Sequence, residues 1–105
     1  MPVHFFARLE PKAGKEHEFR ESLLRVVEPT RAEAGCLAIH VFESLRSPAV
    51  FEIHSEWEDE AAFERHAQLP HTVRFIQAVD ELLTHPVQGL RTRWIAGGTG
   101  TAAPR

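Results

Sequence analysis

Residues 37–57 read LAIHVFESLRSPAVFEIHSEW. Leu37, Ile39 and Val41 alternate with Ala38, His40 and Phe42; after a turn over Ser44 to Ala49, the alternation resumes through Phe51, Ile53, Ser55 and Trp57. A period of two is the mark of a strand with one buried face, and two such runs joined by a short turn make a hairpin. Downstream, Asp59 is a good N-cap with Glu60 beside the positive helix end, and Ala62, Phe63 and His66 share one face of the helix that follows. Pro70 breaks that helix. A continuation from His71 carries Val73, Ile76, Val79, Leu82 and Leu83 as far as Pro86, and Val87 to Ile95 reads as a last strand.

Upstream, Val3, Phe5, Ala7 and Leu9 alternate with His4, Phe6, Arg8 and Glu10, which makes a first strand. Pro11 to Gly14 turns the chain, and Phe19, Leu23, Val26, Val27 and Thr30 then recur at helical spacing down to Ala34. Pro29 removes an amide donor from the later turns, and Gly35 is a natural stop. The resulting order, β-α-β-β-α-β, is the split pattern of ferredoxin-like α+β folds, with a four-stranded antiparallel sheet covered by helices on one side. The helices can cover Val3, Phe5, Leu37, Ile39, Phe51 and Ile53. They leave Phe6, Ala38, Phe42 and Val50 on the other face, for which an identical sheet in a homodimer is the simplest cover.

At 105 residues with 43% hydrophobic and 26% charged side chains, the chain has the composition of one ordinary globular domain. That domain is expected over residues 1–96, with Gly97 to Arg105 as a loose tail too poor in apolar surface to order itself. A net charge of -3 with scattered Lys and Arg offers no field for nucleic acid. The reading expects no signal peptide, no membrane span and, from the single Cys36, a reducing, cytoplasmic setting.

The run Val27-Glu28-Pro29-Thr30-Arg31-Ala32-Glu33-Ala34-Gly35-Cys36-Leu37 resembles the helix-to-strand junction of antibiotic biosynthesis monooxygenase domains. The segment Glu56-Trp57-Glu58-Asp59-Glu60-Ala61-Ala62-Phe63-Glu64-Arg65-His66, then Pro70-His71, is similar to the family's stretch after its third strand, including the nine-residue step from Trp to His. With the turn Pro11 to Lys15 in the same order, the resemblance spans roughly residues 3–95. It implies a dimeric α+β barrel with a pocket between sheet and helices in each subunit. Several members oxidise quinols or polyphenols with molecular oxygen and no flavin, metal or haem; others degrade haem, isomerise a small sugar-like signal, or have no known reaction. Neither a cofactor nor a metal is expected here.

Trp57 and His66 are the candidate catalytic pair: the indole as part of an apolar wall for a planar ring, and the imidazole as acceptor of a phenolic proton. Their alternative roles are a core tryptophan and a histidine bonded to backbone. Phe5, Ala7, Arg31, Phe63 and His71 are candidate substrate contacts. Arg31, beside Glu28, can orient an anionic oxygen or stand as a solvated helix end; His71 can lie at a pocket mouth or cap a helix. Ala7 stands where the haem-degrading relatives carry asparagine, which argues against haem, and the absence of tyrosine removes any mechanism built on one. A cofactor-free monooxygenase of a small quinol or polyphenol is the first reading; a binding protein or isomerase using the same pocket without oxygen is the second. His4, His40 and His54 with Glu52 and Glu56 share the opposite strand face, where polar residues of a dimer interface explain them better than a metal site.

Overall fold

The computed structural model describes residues 1–101. Its strands are β1 (Val3–Leu9), β2 (Cys36–Glu43), β3 (Phe51–Trp57) and β4 (Gln88–Thr92); its helices are α1 (Glu16–Arg31), α2 (Glu60–Gln68) and α3 (Pro70–Asp80). All strand pairs are antiparallel, in the order β2-β3-β1-β4, so the two central strands are the first and third in sequence. This is the ferredoxin-like arrangement read from the sequence. Register follows the alternation: Phe5 faces Ser55, Ala7 faces Ile53 and Leu9 faces Phe51 across β1 and β3. Their helix-side face packs Ala7, Leu9 and Phe51 against Phe19, Leu23 and Val26 of α1, with Val79 of α3 and the following Leu82 and Leu83. Phe6, Phe42 and Leu90 on the opposite face are 48%, 58% and 64% exposed.

Three local expectations are corrected. Leu37 does not lie on the helix-side face. A β-bulge sets Cys36 opposite Trp57 and Ala38 opposite Glu56, so Leu37 is the extra residue and points to solvent, while Cys36 takes the inward place. The first helix ends at Arg31 rather than Ala34, with Pro29 inside its last turn. Its exit is a series of tight turns, Glu33 N–H to Thr30 O and Cys36 N–H to Glu33 O, both 3.1 Å, that swing Glu33 out of the helix. Gly35 completes the exit at φ +88°, where a Cβ would also stand 2.7 Å from that of Ala62. The last strand covers Gln88–Thr92, not residues 87–95, because His4 opposite Thr92 is already near the start of β1 and little partner strand remains.

The break between α2 and α3 is sharp. Leu69 is extended and Pro70 occupies the first turn of α3, where a missing N–H costs nothing. Asp59 caps α2 by accepting from Ala62 N–H at 2.8 Å. Gly97 to Thr101 carry no helix or strand, and the remainder of the expected tail lies outside the described residues. Another glycine matters for the interior: on β4, a Cβ at Gly89 would overlap the tip of the Phe5 ring, which reaches that position only because the side chain is absent.

Candidate functional site

Between the sheet and the helices lies a mostly apolar cavity of about 210 Å³. Phe5, Ala7, Ile39, Ile53 and Ser55 form its sheet side; Val26 and Thr30 of α1, Phe63 and His66 of α2, and Phe75 and Ile76 of α3 close it. An engineered cavity of roughly 150 Å³ holds benzene, so this volume is on the scale of a single aromatic ring. The ring of Phe5 packs on Phe63 with centroids 4.5 Å apart, and the Arg91 guanidinium lies 4.8 Å over the Phe63 ring while paired to Glu60 and Glu64. That cation holds the phenyl ring in place, a feature the sequence pattern did not single out.

His66 presents its ring to the cavity from the last turn of α2. Its Nδ1 lies 2.7 Å from Glu33 Oε2, with Thr72 Oγ1 at 3.3 Å from the same nitrogen. An ionised carboxylate only accepts hydrogen bonds, so Nδ1 is the donor in this contact, and in a neutral imidazole Nε2 then carries the lone pair. His71, second residue of α3, brings its Nε2 to the same Glu33 oxygen at 2.6 Å. The Glu33 side chain is only 7% exposed.

The other candidate residues separate. Trp57 is fully buried, packs on His66 with ring centroids 4.5 Å apart and planes tilted by 32°, and donates from Nε1 to Ser55 Oγ at 3.0 Å; it backs the imidazole and does not line the cavity. Ser55 thereby keeps its own hydroxyl proton free for a ligand oxygen. Arg31 is solvent-exposed on Glu28 at 2.8 Å and is not part of the cavity lining. His71 lines a separate groove of about 310 Å³ between α1 and α3, with Arg25, Pro29 and Arg74. Cys36 packs beside Trp57 and Phe63, and burial, helped by the charge of Glu33, pushes its thiol up; it belongs to the core and not to the chemistry. Glu33 is the residue the sequence reading missed. Its signals, an acid in the tight exit from a helix and two histidines five residues apart around Pro70, become informative only when folding joins them.

On the opposite face, His4 Nδ1 and His54 Nε2 are 2.9 Å apart in parallel rings, and His40 stacks on His54 at 6.2 Å. Among the described residues, the metal-ligand types whose donor atoms converge within 4.8 Å are Glu33, His66 and His71, not these strand histidines. His54 is held below the usual histidine range by burial first, then by His4 and His40, against the pull of Glu56. A histidine depressed in the folded state stabilises fully above its ordinary range, and that contribution is lost as pH falls toward the folded value, because the unfolded chain binds the proton more readily. The melting temperature should therefore fall more steeply for the wild type than for His54→Gln between about pH 7.5 and pH 5. Parallel melting curves at constant ionic strength would show that His54 has no such linkage.

A single antiparallel sheet with helices on one face and an apolar cavity between the two layers define a ferredoxin-like α+β domain. The chain belongs to the antibiotic biosynthesis monooxygenase family, whose model matches residues 2–78. It is 31% identical to YcnE of Bacillus subtilis over 86 residues, 82% of this chain and 90% of that protein. Rv0793 of Mycobacterium tuberculosis is also 31% identical over 86 residues, covering 82% and 84% of the two chains. Its solved structure superposes with a TM-score of 0.87 at 27% identity, over 94% of this chain and all of that one. A 26% match to sll1783 of Synechocystis covers 83% of this chain but spans only 59% of that protein's length. Among the described residues, no helix is long and apolar enough to cross a membrane.

Proposed function

We propose that the protein is a cytoplasmic, cofactor-independent monooxygenase that oxidises a small quinol or polyphenol with molecular oxygen, and that it works as a homodimer. The observation that carries this reading is the histidine at the apolar cavity: His66 lines it, with Nδ1 2.7 Å from Glu33, so that in the neutral imidazole donating there Nε2 is the acceptor left for a ligand. A phenol in the cavity gives its proton to that nitrogen, and the phenolate transfers an electron to oxygen far more readily than the neutral phenol does. For a hydroquinone, one oxygen atom replaces a ring hydrogen and the other leaves as water, giving a hydroxyquinone. The ring C–H and the quinol each supply two electrons, which together account for the four that oxygen takes up. The substrate is thus its own reductant. Ser55, with its free hydroxyl proton, is placed to hold a substrate oxygen, and Phe5 and Phe63 hold the ring.

The test is oxygen uptake by full-length protein with a panel of hydroquinones and polyphenols, combined with isotope-labelled oxygen. The expected result is uptake above the uncatalysed rate with one labelled atom in the quinone product. Tight binding of a panel member without uptake would replace this reading with that of a binding protein or isomerase. For the dimer, the exposed Phe6, Phe42 and Leu90 supply the apolar face that a second copy covers. Sedimentation should give twice the chain mass for the wild type and a monomer for Phe42→Glu; a monomeric wild type would sink the assembly.

A further inference from the structure

Three side chains from three separate segments meet at one oxygen atom. Glu33 lies in the exit from α1, His66 in the last turn of α2 and His71 in the first turn of α3. Both imidazole contacts, 2.7 and 2.6 Å, end on Glu33 Oε2, and all three side chains are largely shielded, at 17%, 21% and 7% exposure for His66, His71 and Glu33. The only histidine of the pair that lines the ring-sized cavity is His66; His71 lines the outer groove.

Two species can be shared by such a trio, a divalent cation or hydrogen-bonded protons. Zinc ligands lie about 2.0–2.2 Å from the ion, which sets tetrahedral donors roughly 3.3 Å apart. As the three side chains stand, the separations of 2.6 and 2.7 Å are those of charge-assisted N–H···O bonds, and the shared proton is the reading they favour. With both nitrogens donating, the carboxylate oxygen is pinned from two sides, and the Trp57 ring packed on His66, centroids 4.5 Å apart, crowds the imidazole against rotation.

We propose that Glu33 is a positioning residue for the chemistry at His66, fixing the Nδ1–H tautomer and the ring orientation that leave Nε2 as the base of the cavity, and that His71 serves as the second donor locking the carboxylate in place. A base oriented by a third group is the general logic of activated acid–base sites. Without Glu33, His66 is free to take the other tautomer and to turn its ring, since imidazole torsions are soft. The kinetic part of this inference rests on the quinol reading above; the tautomer part does not.

The test is a long-range proton–nitrogen correlation spectrum of the full-length protein labelled at its seven histidines, with His66 and His71 assigned from His66→Gln and His71→Gln. The expected result is His66 protonated at Nδ1 and bare at Nε2, His71 protonated at Nε2, and loss of the His66 pattern in Glu33→Gln. With an active quinol substrate, Glu33→Gln should lower kcat about a hundredfold or more while moving KM by about twofold or less. A wild-type spectrum with His66 protonated at Nε2 overturns the proposal, and this needs no variant to fold. An unchanged kcat in Glu33→Gln overturns it too. Added zinc that binds stoichiometrically and collapses both histidine patterns would overturn it in favour of a metal centre. The expected tautomers in a protein that oxidises no quinol would uphold the positioning by Glu33 and sink only the choice of substrate.

Discussion

His66→Ala is expected to lower kcat for quinol oxidation by about 10²- to 10⁴-fold, the range a positioned general base contributes. Two losses combine. The proton acceptor disappears from the cavity, and Glu33 keeps only its contact with His71, so a buried carboxylate loses one of two donors. Substrate binding suffers less, because Phe5, Phe63 and the sheet side of the cavity are untouched. The split should therefore fall on kcat rather than KM. The vacated volume is that of the lost ring, so millimolar free imidazole should restore part of the rate. Full activity in His66→Ala would remove histidine from the mechanism, whatever the substrate.

Trp57→Ala is expected to destabilise the domain by about 3–5 kcal/mol, the usual cost of emptying a buried tryptophan site. The indole is wholly buried; with Ala62 and Phe63 it forms a second core cluster, joined by Phe5 and Cys36. Removing it also deprives Ser55, itself 3% exposed, of its Nε1 partner. Against a typical total of about 5–15 kcal/mol, such a loss brings the chain close to its folding threshold. Urea denaturation should show a lower midpoint with an unchanged slope. Trp57→Phe should lose less stability and leave KM nearly constant, since the indole lies behind His66 and outside the cavity lining. A large rise in KM with little change in stability would instead make Trp57 a substrate contact.

The fold was legible because alternation and helical spacing speak about faces. Ala7, Leu9 and Phe51 reach the core, and Phe6 and Phe42 the outer face, as period two requires. Leu37 escaped because a bulge changes parity without changing composition, and the end of the last strand escaped because it is set by where β1 begins. At the site, Phe5, Ala7, Phe63 and His66 converge as their faces implied. Arg31 does not, since Glu28 one helical turn back satisfies it in solvent. Glu33 was beyond reach for a different reason: its two partners are 33 and 38 residues away, and no local pattern encodes a contact of that range.

The bare position at Gly89 means that the depth of the cavity is governed from the sheet's edge. The Phe5 ring tip lies against that glycine, so any side chain there would oblige the ring, which lines the cavity, to shift. A single methyl group on β4, outside the cavity lining, would reshape the cavity through Phe5. Selection for a new substrate can thus act on the frame before it touches the catalytic apparatus.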